Sequence, residues 1–181
     1  MSNLDTLRQL LVARSVKTGS FTLASGKSSN VYIDAQLTTL SPEGMVLIGS
    51  VGLSRIEAQG WRPDSIGGLT MGADPIAFAI ARTSADRSNP LRAFTVRKEP
   101  KSHGTSNLIE GPFRPADSVV IIEDVITTGT SAIQAIGAIE NAGGKVLGVL
   151  ALVDREDGGR EAVRARGYDV ISLTTITELI N

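Results

Sequence analysis

The stretch Val119-Val120-Ile121-Ile122-Glu123-Asp124-Val125-Ile126-Thr127-Thr128-Gly129-Thr130-Ser131 decides the architecture. Val119 to Ile122 are consecutive β-branched apolar residues, the pattern of a strand buried on both faces, as in a parallel sheet. Two carboxylates follow at the carboxyl end of this run. A short loop of hydroxyls and glycine comes next and opens into a helix. Backbone N–H groups at a helix N-terminus, helped by Thr and Ser hydroxyls, can cradle a phosphate dianion. Glu123 and Asp124 can accept hydrogen bonds from vicinal ribose hydroxyls. The parts together suit a ribose 5-phosphate. The blander reading is a buried strand with an acidic end and an ordinary capped helix. A P-loop is excluded, because the GxxxxGK[ST] spacing and its lysine are absent.

Strand and helix patterns alternate on either side of this stretch. Downstream, a helix carrying Ile133, Ile136 and Ile139 stops at Gly143-Gly144, and Val146 to Val153 is a nearly continuous apolar strand. Val170 to Leu173 reads as a last strand and Thr177 to Ile180 as a terminal turn. Upstream, Leu91 to Val96 and Ser65 to Gly68 read as strands, and Pro75 begins a helix. Ser41-Pro42 starts another helix that runs to about Gln59, with a cap residue before Pro. Phe21 to Ser25 and Val31 to Ile33 read as short strands, and Ser2 or Asn3 caps a first helix with Leu4, Leu7, Leu10 and Leu11 on one stripe. The segment from Arg97 to Pro115 has no sustained periodicity, and loops of such length are more often functional than idle. The expected class is α/β with a mostly parallel central sheet flanked by helices, in which ligands sit beyond the carboxyl ends of the strands.

The composition narrows the function. At 181 residues the chain is long enough for one domain with a real core. A net charge of −1 gives no global case for binding nucleic acid. Without Cys there is no disulfide framework or thiolate chemistry, and a single His makes a His-rich zinc site untenable. No apolar run approaches a membrane span, and the N-terminus lacks the regions of a signal peptide, so a cytoplasmic protein is expected.

Three further segments carry chemistry. Arg97-Lys98-Glu99-Pro100-Lys101-Ser102-His103-Gly104 concentrates cations at a strand end, where a polyanion such as pyrophosphate needs charge-assisted donors. Alone, it reads first as a solvated basic loop; its place at a strand end, in a chain that already has a phosphate cradle, reverses that preference. Gly67-Gly68-Leu69-Thr70-Met71-Gly72-Ala73-Asp74-Pro75 is a glycine turn entering a helix, suited to close backbone approach. Asp154-Arg155-Glu156-Asp157-Gly158-Gly159 offers a guanidinium that can fork onto a carboxylate or pair locally with Glu156 or Asp157.

Taken together, these motifs resemble the type I phosphoribosyltransferases, and among them the orotate phosphoribosyltransferases. The acidic pair and hydroxyl loop resemble the signature for phosphoribosyl pyrophosphate (PRPP). Arg-Lys-x-x-Lys-x-His-Gly is similar to the subfamily's catalytic lid. The Asp154-Arg155-Glu156 segment and the run from Phe21 to Asp34 are similar to its other motifs. The resemblance implies a single domain over residues 1–181 with a small N-terminal hood formed mainly by residues 1–40. It also implies Mg-dependent transfer of phosphoribose from PRPP to orotate, in pyrimidine biosynthesis.

The implied roles follow residue by residue. The PRPP site comprises Arg97, Lys98, Lys101, His103, Glu123, Asp124, Val125, Ile126, Thr127, Thr128, Gly129, Thr130 and Ser131. Lys101, His103 and Asp124 are the candidate catalytic groups, and Thr127, Arg155 and Lys27 the orotate contacts. Mg²⁺ would be held mainly through PRPP, with no dedicated protein metal site. The enzyme would be a homodimer sharing its lid across the interface, without nucleic-acid or membrane partners. Alternatives are a type I enzyme for another base and a nucleotide-sensing regulator of the same fold. The chain departs from the family where a Tyr-Lys pair is common, having Thr70 and Met71 instead, and has Ala24 where some relatives carry Lys.

Overall fold

The computed structural model describes residues 1–22, 26, 28–99 and 108–180. In chain order the elements are α1 (Asn3–Arg14), β1 (Val16–Thr22), β2 (Ser28–Ile33), α2 (Gln36–Thr39), α3 (Pro42–Ala58), β3 (Ser65–Leu69) and α4 (Ala73–Thr83). After a 3₁₀ turn at Ser84–Asp86 come β4 (Arg92–Val96), β5 (Ile109–Glu110), β6 (Ser118–Ile126), α5 (Thr130–Asn141), β7 (Lys145–Asp154), α6 (Gly159–Arg164), β8 (Val170–Thr175) and α7 (Ile176–Ile180).

The central sheet has six strands in the order β5-β4-β3-β6-β7-β8. All of its pairings are parallel except β4 with β5. The decisive stretch thus lies mid-sheet, and Val119 to Ile122 are fully buried. Its alternate residues feed two cores. Val120 and Ile122 join Leu7, Leu11, Ile48, Ile76 and Leu150 on one face, whereas Val119 and Ile121 join Phe94, Ala135, Ile139 and Val149 on the other. Each fully buried Ile or Leu side chain contributes about 1.5–3 kcal/mol of apolar transfer energy. The chain moves outward from β3 to β4 and then returns to the other side of β3 at β6, which places the topological switch between β3 and β6. At the opposite end of these strands, buried Asp117 accepts from Ser65 Oγ, Arg114 N and Arg92 Nη2, so one carboxylate pins the starts of β3, β4 and β6.

Local capping signals account for two helix starts. Ser2 caps α1 in a reciprocal box with Asp5, and Ser41 caps α3 with Pro at its first turn. Several expectations need correction. The first hairpin arm is Val16–Thr22 instead of Phe21 to Ser25, because the chain turns directly from α1 into a strand paired with β2. Part of the expected arm, residues 23–25, lies outside the described residues. The strand read as Val31 to Ile33 begins at Ser28, and α4 begins at Ala73, before Pro75. The Arg97 to Pro115 segment contains β5, two residues antiparallel to β4, too short to leave a periodic trace. The expected terminal turn is the helix α7.

The β1–β2 hairpin forms a sheet of its own. Helix α1 is not part of that layer, since Leu7 and Leu11 are buried in the main core. None of the described helices is long and apolar enough to cross a membrane.

Candidate active site

A cleft of about 600 Å³ opens at the carboxyl ends of β6 and β7. Asp124, Val125, Thr127, Thr128, Thr130, Ser131 and Arg155 line one wall, and Thr22, Tyr32 and Ile33 of the hairpin line the other. The signature stretch and Arg155, far apart in sequence, therefore face the same space. Ile126 is buried in the core and gives the site only backbone: its carbonyl accepts from Arg155 N at 3.0 Å.

The loop is shaped by glycine. Gly129, at φ +78°, is the cap residue of α5, and no side chain caps the helix. The first-turn amides of a helix without such a cap are free for an anion. Thr128 Oγ1 and Thr130 Oγ1 stand 3.0 Å apart at this end. Behind the loop, Gly159 meets it backbone to backbone. A Cβ on Gly159 would lie 2.8 Å from Thr127 O, and one on Gly129 would lie 2.7 Å from Gly159 O.

The two carboxylates are not equivalent. Asp124 lines the cleft and its Oδ1 accepts from Val125 N at 2.8 Å. Glu123 lies behind it, where burial, the charge of Asp124 and a hydrogen bond between the two push its carboxyl up to about 8. At neutral pH Glu123 therefore keeps its proton. Folded Glu123 holds a proton that the unfolded chain releases above its ordinary value of 4.5. Its contribution to stability is full below that value and is lost as pH rises through about 8. Glu123→Gln should therefore flatten the fall of melting temperature between about pH 5 and 9 relative to wild type. Parallel profiles for the two proteins would show that Glu123 titrates normally.

The glycine turn after β3 backs onto Asp124. A Cβ on Gly72 would lie 2.4 Å from Asp124 Oδ2, so the backbone approaches where a side chain could not. Thr70 Oγ1 donates to Asp74 Oδ2 at 2.6 Å, and Met71 is exposed.

Arg155 is almost fully buried and well engaged. Its Nε donates to Asp157 Oδ2 at 3.2 Å, and Nη2 donates to Ser29 Oγ at 3.2 Å. Both terminal nitrogens also approach the Val31 carbonyl at 3.4 Å. The local pairing with Asp157 and the cleft-facing position thus coexist, and the guanidinium ties the hairpin to the sheet.

At the basic segment, Arg97 Nη1 stands 3.7 Å from Glu110 Oε1, and Arg97 N donates to Leu108 O. Gln134 Nε2 donates to the Lys98 carbonyl at 3.1 Å, joining helix α5 to the root of that segment. Neither Arg97 nor Lys98 lines the cleft. Lys27, Lys101 and His103 lie outside the described residues.

Sequence reasoning assigned no role to Tyr32 or Gln134. Tyr32, whose ring centroid is 5.6 Å from that of Phe21, had a readable signal as an aromatic in a polar, alternating strand. Gln134 had none, because an exposed helical Gln is unremarkable until its neighbour in space is known.

An orotate phosphoribosyltransferase of Aquifex aeolicus is 45% identical over 179 residues, covering 97% of both chains. The chain belongs to the orotate phosphoribosyltransferases. Two solved structures of the Mycobacterium tuberculosis orotate phosphoribosyltransferase agree with the family fold. One, in complex with Fe(III) dicitrate, is 38% identical and superposes with a TM-score of 0.85, covering 99% of this chain and 100% of that one. The other, in complex with 5-phospho-α-D-ribosyl 1-diphosphate, is 36% identical with a TM-score of 0.81, covering 98% and 99%. No family model matches the chain. The type I phosphoribosyltransferase fold accounts for the central sheet and its flanking helices.

Proposed function

We propose that this orotate phosphoribosyltransferase transfers the 5-phosphoribosyl group of PRPP to orotate N1 in the cytoplasm, as a homodimer dependent on Mg²⁺. The observation that carries the reading is the single cleft shared by Asp124, the uncapped start of α5 and Arg155. The 5′-phosphate sits on the α5 amides and the hydroxyls of Thr127, Thr128, Thr130 and Ser131. Asp124 accepts from the ribose hydroxyls, and protonated Glu123 donates to Asp124 from behind, fixing its orientation. Arg155 forks onto the orotate carboxylate, with Thr127 and Lys27 beside the base.

In the reaction the ribose C1–oxygen bond to pyrophosphate breaks and a C1–N1 bond to orotate forms. The electron pair leaves with pyrophosphate, and orotate loses its N1 proton. Positive charge grows on the ribose, near Asp124, and negative charge grows on the leaving group. Positioning and electrostatics supply most of the acceleration. Arg97, Lys98, Lys101 and His103 cover the pyrophosphate, and Lys101 or His103 protonates it. The alternative role for Asp124, assisting deprotonation of orotate, needs more assumptions than binding the ribose hydroxyls. A divalent ion would be held mainly through PRPP, with Asp124 the carboxylate in the cleft lining beside it. When bound, such an ion would supply Lewis-acid neutralisation of phosphate charge.

An exposed apolar groove of about 590 Å³, containing Leu40, Met45, Val46, Met71 and Phe78, supports the dimer. Contiguous patches of this kind mark association surfaces, and this one begins on the turn behind Asp124. A lid shared across it predicts complementation. Lys101→Ala and Asp124→Ala dimers, each inactive, should regain activity after subunit exchange. Proven exchange without recovery would reject the shared lid.

The activity itself is read by absorbance with PRPP, Mg²⁺ and each of orotate, uracil, hypoxanthine and adenine. Orotate alone should turn over, and chelation of Mg²⁺ should lower the rate at least about 100-fold. Turnover of a purine without orotate would overturn the assignment.

A further inference from the structure

A second concavity, of about 670 Å³, runs beside the edge strand β8 between α1, α3 and α7. It shares no lining residue with the catalytic cleft. Three guanidiniums, of Arg8, Arg55 and Arg160, line it; Glu178 is the carboxylate in its lining and Asp154 pairs with Arg160 beside it, which leaves one net positive charge. Two of them are held in place. Arg8 donates to Thr174 Oγ1 at 3.2 Å and to Glu178 Oε1 at 2.6 Å, and Arg160 donates to Asp154 Oδ2 at 2.8 Å and Ser172 Oγ at 3.0 Å. In each, the Nη1 nitrogen makes no hydrogen bond among the described residues. Arg55, in the last turn of α3, has no partner among the described residues. Arg55 thus supplies the uncompensated charge and the two anchored guanidiniums supply free N–H donors, a set that suits a phosphate group because Arg matches phosphate oxygens with paired N–H groups. Ser50 and Ser54 add hydroxyls, and Leu4, Val51 and Leu173 give the same groove an apolar side.

We propose that this groove binds a phosphomonoester carried on a flat or apolar body, of the size of a nucleoside monophosphate. Its volume falls in the range of small-molecule sites. The phosphate lies between Arg55, Arg8 and Arg160, and the body rests on Leu4, Val51 and Leu173. The site is separate from the reaction, so a nucleotide has two places on each chain.

The test is amide chemical-shift mapping of the whole protein titrated with UMP, ribose 5-phosphate, uridine and inorganic phosphate. UMP should move two separate sets of resonances, residues 127–131 and residues 50–55 with 172–175. Arg55→Ser should weaken the second set at least about tenfold and leave the first unchanged. Uridine should not move the second set, and inorganic phosphate should do so at least about tenfold more weakly than UMP. Shifts confined to residues 127–131, an unaltered second set in Arg55→Ser, or equal binding of uridine would each overturn the proposal. Equal binding of inorganic phosphate would overturn the nucleotide-sized body.

Discussion

Arg155→Gln should lower kcat/KM for orotate about 100- to 1,000-fold and leave PRPP affinity within about threefold. The guanidinium is buried beside the cleft, and removing one partner of a buried charge pair costs about 2–5 kcal/mol. The substitution also frees Asp157 and breaks the links to Ser29 and Val31, so the hairpin should loosen. Steady-state rates against orotate, with calorimetric titration of PRPP, separate the two consequences. A fall in PRPP affinity as large as the fall in kcat/KM would assign Arg155 to holding the hairpin instead of the base. Lysine should not rescue the variant, because an ammonium cannot reproduce the planar fork.

Gly68→Ala should destabilise the protein by more than about 4 kcal/mol, enough to lower the melting temperature by roughly 10 °C or more. In β3 the added Cβ would stand 2.0 Å from the Ile122 carbonyl oxygen and 2.8 Å from Ala73 Cβ. The first obstacle is backbone of the neighbouring strand, so no rotamer change relieves it. Gly67 meets the same limit at Phe94 O, 2.1 Å away. These strands position the carboxylates, so activity should fall together with stability. Gly137→Ala is the control: nothing lies within 4 Å of its Cβ, and in α5 it should gain about 0.5–1 kcal/mol. Thermal melts of both variants decide the matter. A Gly68→Ala protein melting within a few degrees of wild type would show that the two strands can part without loss.

The middle of the sheet was legible because β6 and β7 carry continuous apolar runs, and α1, α3 and α5 because Ser2, Ser41-Pro42 and Gly129 mark their starts. Val119 to Ile122 needed no neighbour to be read. The hairpin was harder, since β1 is largely exposed and has no hydrophobic alternation, and only its pairing with β2 defines it. The short elements β5 and α6 owe their existence to tertiary contacts, Ile109 against Val96 and Val163 within the core around Ile136. Within the site, residue types announced the phosphate loop. The inequality of Glu123 and Asp124 did not follow from the sequence, because depth below the cleft separates two adjacent carboxylates. Nor did the attachment of Arg155 to the hairpin, made across more than a hundred residues.

The meeting of Gly129 with Gly159 has a consequence for substrate choice. The loop after β6 and the segment after β7 rest on each other's backbone, and their strands are already paired as far as Ile126 with Asp154. On the proposed assignment one loop grips the phosphate end of the nucleotide and the other carries Arg155 for the base. The distance between the two grips is then a constant of the sheet, and the protein works as a fixed gauge. A ligand with one atom too many between phosphate and base fails by length even if every contact group is correct.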